Sequence, residues 1–390
     1  MVIRLDEHPN IFMTIAGALT TDEGAQLRFS SGHRNLFGLG HKLSFVGQAG
    51  FGWDGEGWLL DRYAPDWRTS IRYTAPRLPI KQGSFFTELV LREQIQESNF
   101  RLYRSGLKAG VSLSINQNWR MLVEYGIQRV DIDDYDQGLL ITGDPWIEIL
   151  STRNHRWSSG GTLSTIWDGR DSPFNPKKGG FASLGLSVTD GLLGMASSVQ
   201  ALSNWSYNWD LQQFRFRVSN SNGLAVMRNE ETLPFDQRFF LGGANSLRGF
   251  SRNSVGPTNY VLRPEIAFPT QIGPAIESSS LRENPAQWIP TGGDLFYTLS
   301  LEALYPLTPF ELEHISIITF CDLGYLGFQN ETLQTDSILE GDESIRYGVG
   351  VGLRWLTSVG PISLDLGINP AHLSERGESL FTPYFSFGNN

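Results

Sequence analysis

Along nearly the whole of this 390-residue chain, apolar and polar side chains alternate with a period of two, and that pattern leaves few folds open. Ile11, Met13, Ile15 and Leu19 fall on one face, with Thr14, Ala16 and Thr20 on the other. Leu295, Tyr297, Leu299, Leu301 and Tyr305 oppose Asp294, Thr298, Ser300 and Glu302, with Phe296 and Leu304 as exceptions. Ile345, Tyr347, Val349, Val351, Leu353 and Trp355 alternate with Arg346, Gly348, Gly350, Gly352 and Arg354. Successive side chains of a strand point to opposite faces, so each such segment reads as a strand that is greasy on one side and polar or small on the other.

Segments of this kind place strands near 11–20, 25–36, 40–51, 67–76, 84–95, 100–116, 119–131, 159–168, 180–190, 195–206, 210–226, 292–305, 314–324, 345–356, 360–369 and 380–388. Their connections alternate in length: SINQN, SYNWD and LTSVGP are short, whereas 52–66, 132–158, 227–291 and 325–344 are long. Sixteen strands, with short turns at one end and long loops at the other, predict an all-β fold, a single antiparallel transmembrane β-barrel. Two soluble β-sandwiches would also alternate, but they would need protected edges and a divided core, and would leave the loop lengths unexplained. Trp53, Trp58, Trp67, Trp119, Trp157, Trp205, Trp209 and Trp355 lie toward predicted strand ends, where interfacial girdles sit. No linker or shift in composition divides the chain, so 11–390 reads as one barrel with 1–10 as a lead-in.

Composition removes other classes. No apolar run approaches the length of about 18 residues that a membrane-crossing helix needs, and mean hydropathy is -0.21. A barrel escapes that test because its apolar residues average out against polar neighbours. The formal charge of -10 speaks against a nucleic-acid surface. Cys321 is the only cysteine, so no internal disulfide and no cysteine-based zinc site can form. The opening MVIRLDEHPN lacks the basic and apolar regions of a secretory signal, as expected of a mature or excised segment or of a chain not secreted by that route. Four of the six histidines lie in predicted turns, loops or the lead-in, and no G-x-S-x-G, H-E-x-x-H or phosphate loop is present. Neither an enzyme nor a cofactor is expected.

Functional interest centres on FFLGGANSLRGF, residues 239–250. Gly242, Gly243 and Gly249 permit backbone angles closed to other residues, so the segment can fold tightly and present Arg248 at a defined place. A guanidinium that is buried needs carboxylates or carbonyls; an ordinary Gly-rich surface loop is the plain alternative. Inward polar residues are the candidate partners, because the lipid face carries charge only at a cost. Ile315, Ile317, Cys321, Leu323 and Tyr325 share one face, which leaves Phe320, Asp322 and Gly324 on the lumen side, and Glu302 also falls on a polar face. Arg346 and Arg354 are competing partners for those acids. Asp168, Arg170 and Asp171 precede a turn from Pro173 to Gly180 and suit either a docking surface or, the reading favoured here, carboxylates that cap backbone amides.

GGANSLRGF resembles the sixth-extracellular-loop signature of the BamA/TamA superfamily of outer-membrane translocator barrels. RNLFGLGHKLSF at 34–45 is similar to that family's second-to-third strand turn, and WDGRDSPFNPKKGGF at 167–181 to its mid-barrel turn. LEALYPL, FCDLGYLGF, RYGVGVGLRWLTSVGPISLDLGI and YFSFG resemble its last five strands. Two features depart from the pattern: only residues 1–10 stand where periplasmic POTRA domains usually precede the barrel, and the chain ends on Asn390 where an aromatic residue is usual.

The resemblance implies that the 227–291 loop folds into the lumen and that Arg248, flanked by Gly249 and Phe250, meets Asp322, with Glu302 nearby and Phe320 against its stem. It further implies a bacterial or, alternatively, organellar outer-membrane factor that inserts other barrel proteins through a seam between first and last strands, without chemistry. Its partners would be membrane lipids, unfolded outer-membrane clients and accessory assembly subunits. A polypeptide secretion pore of the same superfamily and a passive diffusion porin are the alternatives. At the seam, expected to involve Thr14, Pro383, Phe385, Phe387 and Gly388, Pro383 lacks a donor, so fewer ladder bonds are expected there than between interior strands.

Overall fold

The computed structural model describes residues 9–51, 66–76, 82–96, 100–133, 155–173, 175–190, 198–227, 233, 237–261, 287–290, 292–307, 312–329, 344–357, 360–374 and 377–388. The first half of the chain forms β1 (Ile11–Thr20), β2 (Gly24–Leu36), β3 (His41–Phe51), β4 (Asp66–Pro76), β5 (Gly83–Gln96), β6 (Phe100–Ser114), β7 (Trp119–Asp133), β8 (His155–Asp168) and β9 (Gly179–Asp190). The second half forms β10 (Ser198–Leu211), β11 (Phe214–Met227), β12 (Thr258–Val261), β13 (Gln287–Pro290), β14 (Leu295–Leu307), β15 (Leu312–Gly327), β16 (Arg346–Thr357), β17 (Gly360–Ile368) and β18 (Phe381–Phe387).

Sixteen of these strands pair antiparallel with their neighbours into a closed barrel, in which β14 follows β11 and β18 meets β1. The sheet closes because each strand has one face suited to lipid and one suited to water, and a circle leaves no edge in the hydrocarbon. Ile15, Leu89, Leu107, Val123, Leu186, Leu301 and Val351 stand exposed on the outer face. Asp322 and Ser198 are buried on the inner one. β12 and β13 pair only with each other, as a short ribbon within the long segment between β11 and β14.

Several expected boundaries shift. SYNWD is not a turn but the middle and end of β10: Tyr207 and Trp209 face outward, while Asn208 is buried and donates to the Gly179 carbonyl at 3.4 Å. The turn falls instead at Gln212, which adopts a left-handed φ of 56°. β15 runs through Tyr325 to Gly327, and β8 begins already at His155. Trp119, Trp209 and Trp355 stand exposed at the short-turn end, where Trp209 stacks on Phe216 at 5.6 Å and Phe214 meets Tyr305 at 5.3 Å. Trp205 lies well inside β10, and Trp53 and Trp58 lie outside the described residues.

The two faces should respond differently to charge. Leu107, 54% exposed and paired with Leu89 and Ile127, sits on the lipid side. Leu107→Arg is expected to destabilise the barrel in a bilayer by about 2–4 kcal/mol. Asn204→Arg, on the water-facing side of β10, is expected to have a much smaller effect. Urea titration of reconstituted protein, followed by tryptophan fluorescence, measures both.

Candidate functional site

The segment from Phe239 to Val255 folds into a knot of tight turns. Gly242, Gly243 and Gly249 have φ of 118°, 102° and 100°, angles at which any Cβ would be strained. Ser246 closes the first turn, accepting from the Gly242 N–H at 3.0 Å and donating to the Gly242 carbonyl at 2.9 Å. Leu241, Leu247, Phe250, Val255 and Leu326 form a buried apolar cluster with Phe239 and Phe296 against it, so the loop has a small core of its own on the barrel wall.

This packing delivers Arg248 to the inner faces of β14 and β15. Its Nε donates to Asp322 Oδ2 at 2.6 Å and one terminal nitrogen to Asp322 Oδ1 at 2.8 Å, a bidentate fork. The same nitrogen reaches Ser300 Oγ at 3.1 Å, and the other lies 2.9 Å from a Glu302 oxygen. Ser300 itself donates to Asp322 Oδ1 at 2.6 Å, and the Arg248 backbone N–H points at Oδ2 at 3.2 Å. The Phe320 ring centroid is 3.7 Å from the guanidinium carbon, so Phe320 faces the charged head rather than the stem. Arg248 is 5% and Asp322 1% exposed, so two carboxylates, a hydroxyl and an aromatic face replace water around one cation.

The competing pairings are taken elsewhere. Arg346 pairs with Glu378 and Arg354 with Asp365 at 2.5 Å. Arg217 approaches Glu302 only to 3.9 Å. Small residues in the wall make the close approach possible: a Cβ at Gly348 would collide with the Arg248 carbonyl, and one at Gly324 would press on Leu241 and Leu247.

The loop also grips both sides of the β1–β18 junction. The Gly249 N–H donates to the Tyr384 hydroxyl at 2.8 Å, and that hydroxyl donates to the Phe250 carbonyl at 2.7 Å, both on β18. Thr382 Oγ donates to the Gly249 carbonyl at 3.2 Å. In the turn after β1, Asp22 accepts the Ala244 N–H at 2.6 Å, and its own carbonyl accepts from Arg252 at 3.0 Å. Burial pushes the Asp22 carboxyl above the usual carboxylate range, against the opposing pull of the Ala244 N–H and the Arg252 charge. Asp22 carried no motif in the sequence, an acid in a three-residue turn being unremarkable there, and Tyr384 stood inside the YFSFG stretch with nothing to mark its hydroxyl as a contact for the loop.

The junction itself is thin. β1 and β18 share two register pairs, Leu19 with Phe387 and Thr20 with Ser386, whereas β1 and β2 share ten. The Thr21 N–H adds a bond to the Phe385 carbonyl at 3.0 Å. The cause is offset rather than a missing donor. Continuing the register sets Pro383 opposite the β1–β2 turn, and Pro383 is paired with Leu366 of β17. Thr14 pairs with Ser30 of β2 and has no facing residue on β18 among the described residues. Gly388, with φ of 90°, turns its N–H to the Pro361 carbonyl at 3.1 Å.

Residues 168–173 and 175–180 belong to a capped turn. Asp168 receives both the backbone and the guanidinium of Arg170, and Asp171 accepts the Lys177 N–H at 2.9 Å.

An Omp85 superfamily domain matches residues 35–389. Among solved structures, BamA from Haemophilus ducreyi lacking POTRA domains 1–3 superposes with a TM-score of 0.74 at 15% identity, over 98% of this chain and 71% of that one. CdiB from Acinetobacter baumannii matches at a TM-score of 0.54 and 14% identity, over 98% of this chain and 60% of that one. CdiB from Escherichia coli matches at 0.55 and 11%, over 98% and 63%. The chain thus spans less than two thirds of either CdiB, and at these identities the likeness is one of fold.

The cluster predicts a mutational pattern. Arg248→Ala or Asp322→Ala leaves the other charge buried without its partner and is expected to cost about 3–5 kcal/mol of barrel stability. The double substitution should cost little more than either single one, so a double-mutant cycle in urea would show strong coupling. Arg248→Lys keeps the charge but loses the fork, and should fall between wild type and Arg248→Ala. Asp22→Ala removes one charge-assisted contact and should cost about 1.5–3 kcal/mol. Strictly additive losses for Arg248 and Asp322 would show that the pair does not act as a unit.

Proposed function

Because the chain belongs to the Omp85 superfamily, we propose that it resides in the outer membrane and inserts other β-barrel proteins there, through the junction between β1 and β18. The observation that carries this reading is the contrast between two register pairs on one side of β1 and ten on the other. Backbone N–H and C=O groups along Ile11–Ala18 have their β2 partners on one side and no β18 partner among the described residues on the other. An unpaired strand edge templates an incoming strand by main-chain hydrogen bonding, and does so most strongly where no water competes. Clients would be unfolded outer-membrane proteins, with lipids and accessory assembly subunits as further partners. No covalent chemistry or cofactor enters this scheme. The loop knot serves as the brace that keeps the barrel in register while the junction works, since Tyr384 and Asp22 tie its two sides to one rigid element.

A cross-link tests the proposal. Cysteines at Leu19 and Phe387, which face each other in the register, in a Cys321→Ser background, allow the junction to be locked by oxidation. Liposomes carrying the oxidised protein are expected to lose acceleration of client folding, scored as a protease-resistant client, and to regain it on reduction. Unchanged client insertion with the junction locked would sink the lateral route. Passage of a soluble polypeptide into the liposomes, with the junction locked, would point instead to a secretion pore.

A further inference from the structure

We propose that the inner wall of β4, β5 and β6 is a binding site for a phosphate-type oxyanion, formed by Arg68, Arg92 and Arg104 side by side, with Lys108 four residues further along β6 on the same cavity. Arg68 is directly opposite Arg92, and Arg92 directly opposite Arg104, in the strand register. Like charges placed opposite one another across a ladder repel, and here the repulsion runs through three strands in one row. The three lie on the water-facing side, since their neighbours Leu89, Leu91 and Leu107 are exposed on the lipid side.

The four cations border a cavity of about 360 Å³ that follows the barrel wall through β7, β8 and β9 to β10 and to Gln237 in the long loop. Among the described residues, Arg68 and Arg92 make no hydrogen bond or ion pair, although Asp66 and Glu23 lie close enough to act on Arg92 through space. Lys108 is held by Glu124 at 3.2 Å, the one acid bordering the cavity among the described residues. Adjacent strands are about 4.8 Å apart, a spacing at which guanidinium forks on neighbouring strands can converge on a ligand with several acceptor oxygens. A monatomic anion would satisfy one fork. The wall faces away from lipid, so the ligand is a free solute carrying phosphate groups rather than a headgroup in the bilayer. The cavity lies on the opposite side of the barrel from β15, so it is separate from the Arg248 cluster.

Inorganic pyrophosphate is a suitable probe. The purified full chain in a nonionic detergent should show a saturable rise in its thermal unfolding midpoint with pyrophosphate, beyond that produced by sodium chloride at equal ionic strength. Arg92→Gln and Arg68→Gln should each weaken the apparent affinity at least about tenfold, the worth of one charge-assisted contact. Arg129→Gln, on the outer face beside Asp131, should leave it unchanged. Arg68 is solvent-exposed, so its variant reports even where Arg92→Gln fails to fold. Equal effects of pyrophosphate and chloride, or an undiminished pyrophosphate response in the folded glutamine variants, would overturn the site. So would a response confined to vesicles containing phosphatidylglycerol, which would assign the arginines to a lipid headgroup.

Discussion

A sheet that crosses hydrocarbon has to satisfy every backbone donor and acceptor within itself, and closure into a circle is how sixteen strands do so. The requirement falls unevenly here. Interior junctions pair along most of their length, as β5 with β6 from Gly83 to Gln96, while the joining of β18 to β1 covers only Leu19 and Thr20. Closure therefore depends on what braces that junction from inside. The loop knot meets this need because it is itself packed, around Leu241, Leu247 and Phe250, and is anchored on one wall by a buried ion pair.

That anchor is an unusual use of charge. Burying a guanidinium and a carboxylate costs several kcal/mol of desolvation per ion, so the pair is not there for stability alone. An apolar plug of equal volume could fill the same space, but it would slide or rotate. The fork on Asp322, the Ser300 hydroxyl, Glu302 and the Phe320 face together define one orientation of Arg248. With Arg248 set, Gly249 and Phe250 follow within hydrogen-bond reach of Tyr384, so the ion pair positions the contact on β18.

How much of this was legible in the sequence depended on the range of the interaction. Strand faces are written in local alternation, which is why Asp322 could be set on the inner face from Cys321, Leu323 and Tyr325 alone. Strand ends are less local. Asn208 and Asp210 are turn formers by composition, yet in β10 they are inward polar residues of a barrel strand, and a period-two strand with a polar inner face looks like a turn wherever asparagines cluster. The β12–β13 ribbon escaped because four residues carry no resolvable period. Asp22 escaped for a stronger reason: its contact with Ala244 spans 222 residues of sequence and is made by a backbone N–H, which any residue could supply. Offset between β1 and β18 is likewise a property of the whole circle, and a proline in β18 was a local feature that drew attention from it.

Magnitudes indicate which contacts govern the junction. Its backbone bonds are those of two register pairs and the Thr21 N–H, each worth about 0.5–1.5 kcal/mol net where water can compete and more where it cannot. The loop adds two bonds at Tyr384, one at Thr382 and two at Asp22, both of the last charge-assisted. The brace is thus comparable in strength to the ladder it spans, and the two are in parallel. Moving β1 away from β18 requires giving up either the Asp22 side or the Tyr384 side of the brace as well as the ladder. The Asp22 side lies in the turn after β1, whereas Tyr384 is buried in β18 and bonded to the two residues that follow Arg248.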